Sequence, residues 1–164
     1  MLTGTGVVII RPPLVYGPVV TTNFQTMTCW LACGVPWPLG SIPNRPSLVA
    51  LDNLVDLIVI CVDHPAAAYQ TFLASDGEDL STRQLLQRMG QAFGTPARLI
   101  FVPSKLVKVG AALLGKPAIA QRLCGSLQLD ISKTRQLFGW RPPLSVEEGL
   151  KKAAEAGCSS DAPV

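Results

Sequence analysis

Apolar positions near the start of the chain follow one another without interruption, in the run Val7-Val8-Ile9-Ile10. An unbroken β-branched run of this kind is typical of a strand in a parallel sheet that helices cover on both faces. Shorter apolar segments at residues 47–50, 70–74 and 98–102 predict further strands. The first strand therefore has candidate neighbours for a buried sheet.

Between these segments the apolar residues change to helical spacing. A helix that begins at Asp52 places several of them on one face, namely Leu54, Val55, Ile58 and Val62. Further helices are predicted at residues 23–33 and 104–114, and another between Asp130 and Gly139. Strands that alternate with helices in this way indicate an α/β fold.

Two capping boxes mark helix starts more sharply than the apolar spacing does. Ser81 is followed three positions later by Gln84, which predicts the start of a helix that ends at Gly94. Ser145 with Glu148 predicts the start of the last helix in the same way. In each box the side chains of both residues bind backbone groups that the first helical turn leaves without partners.

The 164 residues are richer in apolar side chains and poorer in charge than a typical soluble domain. Hydrophobic residues make up 48% and charged residues 15%, against about a quarter charged in an average domain. No apolar run approaches the ~18 residues that would span a bilayer, and the start lacks the pattern of a signal peptide. We therefore expect a cytoplasmic protein in which residues 1–157 form one unit and residues 158–164 a frayed tail.

Charge and cysteine spacing argue against two classes of function. The net charge of +3 comes from scattered basic residues and aromatic residues make up only 6%, so nucleic acid is not an expected partner. Cys29 and Cys33 lie one helical turn apart, but no second pair or histidine stands at zinc-ligand spacing. The lone histidine, His64, lies at a predicted helix end, where it would interact with the helix dipole. We expect no metal site.

The usual motifs of dinucleotide chemistry do not occur in this sequence. Gly4-Thr5-Gly6 precedes the first strand, whereas a dinucleotide-binding glycine loop follows a strand and opens a helix. A Tyr-x-x-x-Lys pair is also absent, since Val20 stands four residues after Tyr16 and Leu73 four residues after Tyr69. The sequence contains neither a nucleophile elbow nor a phosphate-binding P-loop.

Four segments together resemble one family of enzymes. They are IRPPLVYGP, SLVALDNLVDLI, ASDGEDLST and DISKTRQLFGWRPPLSVEEGL, and they cover roughly residues 5–152. Their order and spacing resemble the C-terminal half of extended short-chain dehydrogenases that act on nucleotide sugars, such as UDP-galactose 4-epimerase and dTDP-glucose 4,6-dehydratase. The resemblance implies the substrate-binding part of a Rossmann-like α/β fold, without the N-terminal dinucleotide-binding half.

The resemblance also implies which residues meet the cofactor, NAD or NADP, in a complete enzyme. Pro12, Pro13 and Val15 stand where the family meets the nicotinamide end of the dinucleotide. A proline ring suits this position because it fixes φ and presents a flat apolar wall. A tight strand exit is the alternative interpretation. Leu14 stands where many relatives have an asparagine that contacts the sugar nucleotide, and leucine cannot donate that hydrogen bond.

Five positions correspond to substrate contacts in the family. Asn23 opens a helix at the pyrophosphate position, although a plain N-cap would explain it equally well. The backbone at Trp37 and Leu39 corresponds to the edge that faces the uracil, or else Trp37 anchors a loop. Arg45 matches the phosphate-binding arginine, whose planar guanidinium suits a diphosphate, and a solvated surface arginine is the alternative. Arg122 matches a second family arginine less closely, because its spacing differs by about two residues.

The resemblance therefore implies the UDP-sugar-binding part of an NAD-dependent 4-epimerase or 4-keto-reductase of surface-polysaccharide (O-antigen) sugar synthesis. In this family the glycine-rich loop, the catalytic serine or threonine and the Tyr-x-x-x-Lys pair belong to the first half. We expect the chain alone to be inactive and to bind no cofactor. The alternative is a non-catalytic domain that self-associates through the exposed edge of the Val7 to Ile10 strand.

Overall fold

Short parallel strands organise the part of the chain that the structure describes. The computed structural model describes residues 6–18, 31, 33–34, 44–103, 106 and 126–159. Strand β1 (Ile9–Arg11) pairs with β4 (Thr71–Leu73), and β2 (Leu14–Tyr16) pairs with β3 (Leu48–Ala50). Both pairs are parallel and alternate with helices along the chain, which confirms the α/β class.

The apolar run at the start of the chain leads into two strands rather than one. Pro12 and Pro13 separate β1 from β2. Because proline lacks an N–H group and has a fixed φ, the chain cannot continue a regular ladder through these positions. The segment therefore pairs first with β4 and then, after the two prolines, with β3.

Burial of this first strand differs from the prediction that both faces would be covered. Val8 and Ile10 are half-buried and pack against the core, whereas Val7 is 58% exposed and Ile9 46% exposed. Successive side chains of a strand point to opposite faces. Only one face of β1 is therefore covered in the described part of the chain.

Four α-helices and one 3-10 turn complete the described elements. They are α1 (Leu51–Asp63), the 3-10 turn Pro65–Ala67, α2 (Thr82–Ala92), α3 (Ser132–Phe138) and α4 (Val146–Ser159). None of the described helices is long and apolar enough to cross a bilayer. The predicted helix at residues 104–114 and most of the one at residues 23–33 lie outside the described residues.

Both capping boxes are confirmed. Ser81 accepts a hydrogen bond on its hydroxyl from the Gln84 N–H at 3.1 Å, and its own N–H donates to the Gln84 side chain at 2.9 Å. At the start of α4 the Ser145 N–H donates to the Glu148 carboxylate at 2.9 Å, and the Glu148 N–H donates back to the Ser145 hydroxyl at 3.3 Å. Helix α3 ends at Gly139, whose φ of 63° lies in the left-handed region.

The apolar face that the sequence places on α1 does not point to the core. Leu54 is half-buried, but Val55, Ile58 and Val62 are exposed. The buried residues of α1 are Asn53, Leu57 and Cys61. Periodicity identifies an apolar face correctly but does not say what covers it.

Two segments near the ends of predicted elements also differ from expectation. Residues 98–102 do not form a strand, because only Leu99 makes an isolated bridge and Phe101 is 64% exposed. This apolar run belongs to a surface segment from which Leu99 packs against the core. Helix α4 continues to Ser159, so the first two residues of the predicted tail are helical, and residues 160–164 lie outside the described part. The boundary of the unit at residue 157 stays a prediction.

The core consists of two clusters on either side of the strands. The first cluster joins β2, β3, α2 and α4, and includes Tyr16, Leu48, Leu86, Met89, Val146 and Leu150. The second cluster joins β3, β4, α1 and the α3 region, and includes Val49, Leu57, Cys61, Phe72, Ile131 and Trp140. Alternation along β3 sends Leu48 and Ala50 to the first cluster and Val49 to the second.

Candidate functional site

Two of the predicted site segments lie side by side at one end of the β2–β3 pair. Leu14 pairs with Leu48 and Val15 with Val49 in parallel register. Residues that precede the paired strands therefore enter the sheet from the same end. Pro12 and Pro13 precede β2, and Arg45 precedes β3. The register therefore puts the predicted cofactor segment and the predicted diphosphate-binding arginine at the same end of this strand pair.

The backbone around Arg45 is anchored while its side chain is exposed. The Arg45 N–H donates to the Ser126 hydroxyl at 3.1 Å. The preceding Asn44 is buried and binds Thr82 twice, with its amide nitrogen 2.7 Å from the hydroxyl and its oxygen 3.2 Å from the N–H. Among the described residues no carboxylate forms an ion pair with Arg45. Within the described part of the chain, no carboxylate therefore competes with an anion for this guanidinium.

Ser47 attaches a second segment to this end of the sheet. Its hydroxyl donates to the Asp79 carboxylate at 2.7 Å and accepts from the Leu129 N–H at 2.9 Å. Its own N–H donates to the Leu127 carbonyl at 2.8 Å. Asp79 also accepts from the Gln128 side chain at 3.1 Å. These bonds hold residues 126–129 beside Arg45 and give the site a fixed wall.

Of the four residues from Pro12 to Val15, the two prolines are accessible to solvent and the other two pack against the core. Pro12 is exposed and Pro13 is half-buried. Leu14 packs against the first cluster and Val15 against the second. The prolines can therefore offer a surface to a ligand, while the side chains of Leu14 and Val15 mainly support the sheet. Contacts of all four with a cofactor or substrate stay predictions.

The other predicted substrate residues, Asn23, Trp37, Leu39 and Arg122, lie outside the described residues.

A buried polar network lies beside this site and was not predicted from the sequence. The Tyr16 hydroxyl donates to the Asp76 carboxylate at 2.7 Å. Asp76 also accepts from the Asn53 side chain at 2.7 Å and from the Ala50 N–H at 3.0 Å. Asn53 in turn binds the Leu144 N–H and carbonyl, each at 2.9 Å. The network joins β2, β3, α1, the loop after β4 and the loop before α4.

Burial determines the protonation of this network. Burial raises the pKa of the Asp76 carboxyl, although the hydrogen bonds from Asn53, Tyr16 and Ala50 oppose that shift. Burial and the neighbouring Asp76 charge raise the pKa of the Tyr16 phenol well above its usual range. Tyr16 therefore remains a protonated donor at neutral pH. The phenol donates its proton to the hydrogen bond with Asp76.

His64 lies at the end of α1, as predicted, but away from any cluster of titratable groups. Its Nδ1 accepts a hydrogen bond from the Ala66 N–H at 3.2 Å. Its ring contacts the Phe138 ring edge to face, with the centroids 4.9 Å apart. Among the described residues no group of three His, Cys, Asp or Glu side chains could hold a metal ion. His64 thus has packing and capping roles.

Comparisons with known proteins show what the chain is similar to. No protein-family model matches the chain. Over 151 residues the chain is 48% identical to the UDP-glucose 4-epimerase of Vibrio cholerae, and the match covers 92% of this chain and 46% of that enzyme. The chain is a homologue of the extended short-chain dehydrogenase epimerases. It spans about half the length of the curated relatives that it matches.

Solved structures show the same fold at lower sequence identity. An epimerase from Methanothermobacter thermautotrophicus has a TM-score of 0.72 and 15% identity, over 94% of this chain and 44% of that one. The UDP-glucuronic acid 4-epimerase of Bacillus cereus, solved with UDP-glucuronic acid and NAD, has a TM-score of 0.66 and 18% identity, over 93% and 45% of the two chains. The chain therefore has part of the Rossmann-like fold of these epimerases, as the resemblance implied.

Proposed function

We propose that the chain is the substrate-binding part of an NAD-dependent nucleotide-sugar 4-epimerase or 4-keto-reductase. The observation that carries this proposal is the 48% identity with the Vibrio cholerae UDP-glucose 4-epimerase over 92% of the chain. The proposed substrate class is a UDP-hexose, and the proposed setting is cytoplasmic synthesis of surface-polysaccharide sugars. Within the family, this part corresponds to the C-terminal half.

Arg45 is the residue through which we propose that the chain holds the substrate. A guanidinium offers two parallel N–H groups to a diphosphate oxygen pair, and charge-assisted bonds of this kind are about twice as strong as neutral ones. Arg45 is exposed, and no described carboxylate competes for it. The bond from its N–H to Ser126 keeps its backbone in place when a ligand binds.

The described residues fit one end of a dinucleotide. NAD, when bound, supplies a hydride acceptor for the sugar C4. Pro12 is exposed, Pro13 is half-buried, and both give a rigid apolar surface at the same end of the strand pair as Arg45, which suits a nicotinamide ring. The sequence has no glycine-rich loop between a strand and a helix that would hold the dinucleotide phosphates. The proposed contribution of this chain is therefore to orient the sugar nucleotide and cover the nicotinamide end.

The chain alone is expected to bind substrate without converting it. Epimerisation and reduction both need a group that exchanges a proton with the sugar hydroxyl, and the Tyr-x-x-x-Lys pair that does so in this family is absent. Incubation of the purified chain with UDP-galactose and NAD, followed by proton NMR, should show no UDP-glucose. A stereospecific product at an enzymatic rate would contradict this part of the proposal.

Calorimetric titration of the purified chain with UDP and UDP-N-acetylglucosamine tests the binding role. Arg45→Ala should weaken binding by about 5- to 150-fold, which corresponds to the 1–3 kcal/mol of a lost charge-assisted hydrogen bond. Arg141→Ala removes another exposed arginine and is the matched control, with no expected change.

The binding proposal fails if a chain shown to be folded by circular dichroism binds neither nucleotide. It also fails if the Arg45 and Arg141 variants weaken binding equally, because binding would then reflect net charge alone. Saturable binding that only the Arg45 variant weakens supports the diphosphate role.

Self-association is the second candidate function. Among the described residues β1 pairs only with β4, which favours self-association, since an unpaired strand edge can pair with another copy. Sedimentation velocity over a range of concentrations measures it directly. A chain that stays monomeric throughout that range would exclude this role.

A further inference from the structure

The middle of the chain contains no acidic residues. Residues 80–129 have neither aspartate nor glutamate, and all eleven acidic residues of the sequence lie outside this range. Half of the fourteen basic residues lie inside it, namely Arg83, Arg88, Arg98, Lys105, Lys108, Lys116 and Arg122. A charge asymmetry of this kind within one chain is typical of proteins that bind nucleic acid or an anionic membrane surface.

The structure brings two parts of this range together on the outside of the molecule. The Arg83 guanidinium of α2 lies over the Phe101 ring, 4.9 Å from the ring centroid. Leu99 packs against the first core cluster and so fixes its neighbours in place. Ile100 is 49% exposed, Phe101 is 64% exposed, and Arg98 is exposed as well. Arg83, Arg98, Ile100 and Phe101 together are called the basic apolar surface below.

Folding of the described part of the chain does not account for these side chains. Among the described residues no carboxylate forms an ion pair with Arg83 or Arg98, whereas Arg88 pairs with Glu78 at 2.6 Å. Arg83 stands in the first turn of α2, where a cation opposes the helix dipole. The exposed apolar area of Ile100 and Phe101 contributes nothing to the core, and it would stabilise a contact that removed it from water.

We infer that the basic apolar surface binds the surface of an anionic lipid bilayer as a peripheral contact. Lipid phosphates attract the two arginines, and the apolar side chains enter the boundary between headgroups and acyl chains. Nucleic acid is the less favoured partner, because single strands bind to several aromatic rings and this surface contains one. The inference goes beyond the proposed function, since none of the four residues belongs to the Arg45 site.

Vesicle flotation of the full chain provides the experiment. Phosphatidylcholine vesicles that contain phosphatidylglycerol are compared with vesicles of phosphatidylcholine alone, at low and at high salt concentration. We expect the chain to float with the anionic vesicles at low salt. Binding should decrease at high salt, because salt screens the attraction between exposed charges.

Two variants test whether the basic apolar surface makes the contact. Arg83→Gln should lower the partition coefficient on anionic vesicles about fivefold, the effect of one basic residue near such a surface. The double variant Ile100→Ser, Phe101→Ser should lower it at least about tenfold, because binding scales with the apolar area that enters the boundary. Circular dichroism establishes that both variants are folded.

Each variant has a matched control at another exposed position. Arg141→Gln removes an exposed arginine, and the double variant Val59→Ser, Val62→Ser removes two exposed apolar side chains of α1. Both controls should retain the partition coefficient of the wild-type chain to within about twofold. Equal weakening by the controls would overturn the inference, because binding would then reflect net charge or general hydrophobicity.

The remaining outcomes also decide the question. The inference is wrong if the folded chain binds neither kind of vesicle, or if it binds both kinds equally well. Fluorescence anisotropy with labelled single-stranded DNA tests the other anionic partner. If the chain binds DNA but no vesicles, and Arg83→Gln weakens the DNA complex, the basic apolar surface is a nucleic-acid site and not a membrane contact.

Discussion

Asp76 accepts hydrogen bonds from residues in three elements, β2, β3 and α1. Its donors are the Tyr16 hydroxyl, the Asn53 amide and the Ala50 N–H, at 2.7–3.0 Å. A carboxylate suits this position because both of its oxygens accept, whereas an amide would turn an NH₂ group toward donors. One acidic residue therefore connects two strands and a helix.

Asp76→Asn is expected to lower the free energy of unfolding by about 1–3 kcal/mol, the cost of leaving buried donors without an acceptor. Urea unfolding at neutral pH measures this loss. Glu78→Gln is the control, because Glu78 forms an exposed ion pair with Arg88 that is worth less than about 1 kcal/mol. Equal losses in both variants would contradict a special role for Asp76.

The same carboxyl gives a prediction for pH. Burial raises the pKa of Asp76 above its ordinary value of 3.8, so the folded protein holds this proton more tightly than the unfolded chain. The resulting stabilisation is complete below that ordinary value and is lost as the pH rises through the folded pKa. Urea unfolding should be measured between about pH 3.5 and 6.5. As the pH rises through this range, the wild-type protein should lose stability relative to the Asp76→Asn variant. The opposite trend would mean that the three hydrogen bonds outweigh burial.

At the scale of elements, α4 lies against β2 at a glycine. A Cβ at Gly149 would stand 2.8 Å from the Tyr16 hydroxyl oxygen and 2.9 Å from its Cε2. Tyr16 is almost fully buried and is bound to Asp76, so its ring cannot move aside. The helix can approach the strand this closely only without a side chain at that position.

Gly149→Ala should therefore destabilise the protein, although alanine is the better helix former by about 1 kcal/mol. Overpacking costs about 1–3 kcal/mol, so after the gain in helix propensity we expect a net loss of up to roughly 2 kcal/mol. Thermal unfolding measures it, with Lys151→Ala in the same helix as the control. Lys151 is 61% exposed in an i,i+4 pair, and its loss should change stability by less than about 0.5 kcal/mol. A more stable Gly149 variant would contradict the close packing.

Elements whose signals are local were predicted well from the sequence. The capping boxes at Ser81 and Ser145 depend on residues three positions apart, and both are present. The covering of β1 and α1 could not be predicted, because periodicity does not report which neighbour is present. The same limit explains residues 98–102, where a continuous apolar run belongs to a surface segment that packs against the core through Leu99.

At the scale of the whole molecule, Asn53 links the two core clusters. It is fully buried in α1, which contributes to the second cluster. Its side chain binds Asp76 and both backbone groups of Leu144, two residues before Val146 of the first cluster. Since these bonds cross from one cluster to the other, we expect the clusters to unfold together.

Asn53→Ala should lower the free energy of unfolding by roughly 2–4 kcal/mol, because buried groups on both sides lose partners. Hydrogen exchange detected by mass spectrometry should show α2 and β4 losing protection to the same extent. Asp52→Ala is the control, because it removes only the neighbouring exposed ion pair between Asp52 and Lys152. It should lower the free energy of unfolding by less than about 1 kcal/mol. Loss of protection in only one cluster would contradict the link.

The candidate site was predictable in part. Arg45 and Pro12 were chosen from a family resemblance, and the parallel register of β2 and β3 then explains why they share one end of the sheet. The Tyr16–Asp76 bond joins residues that are 60 positions apart. No local pattern contains such a contact, and so the network became visible only with the fold.

Pro12 also has a consequence for protein solubility. Peptide groups along a strand turn alternately to its two edges, and Ile9 donates toward β4, to the Gln70 carbonyl. Because position 12 is three residues after Ile9, its peptide group faces the other edge of the strand, away from β4. A proline at this position has no N–H group to donate to a strand added there. A foreign strand that added to this edge would find its ladder interrupted after β1, which is how natural sheets resist fibril growth. The Pro12-Pro13 pair can thus act as a guard against aggregation for as long as this side of the sheet is bare.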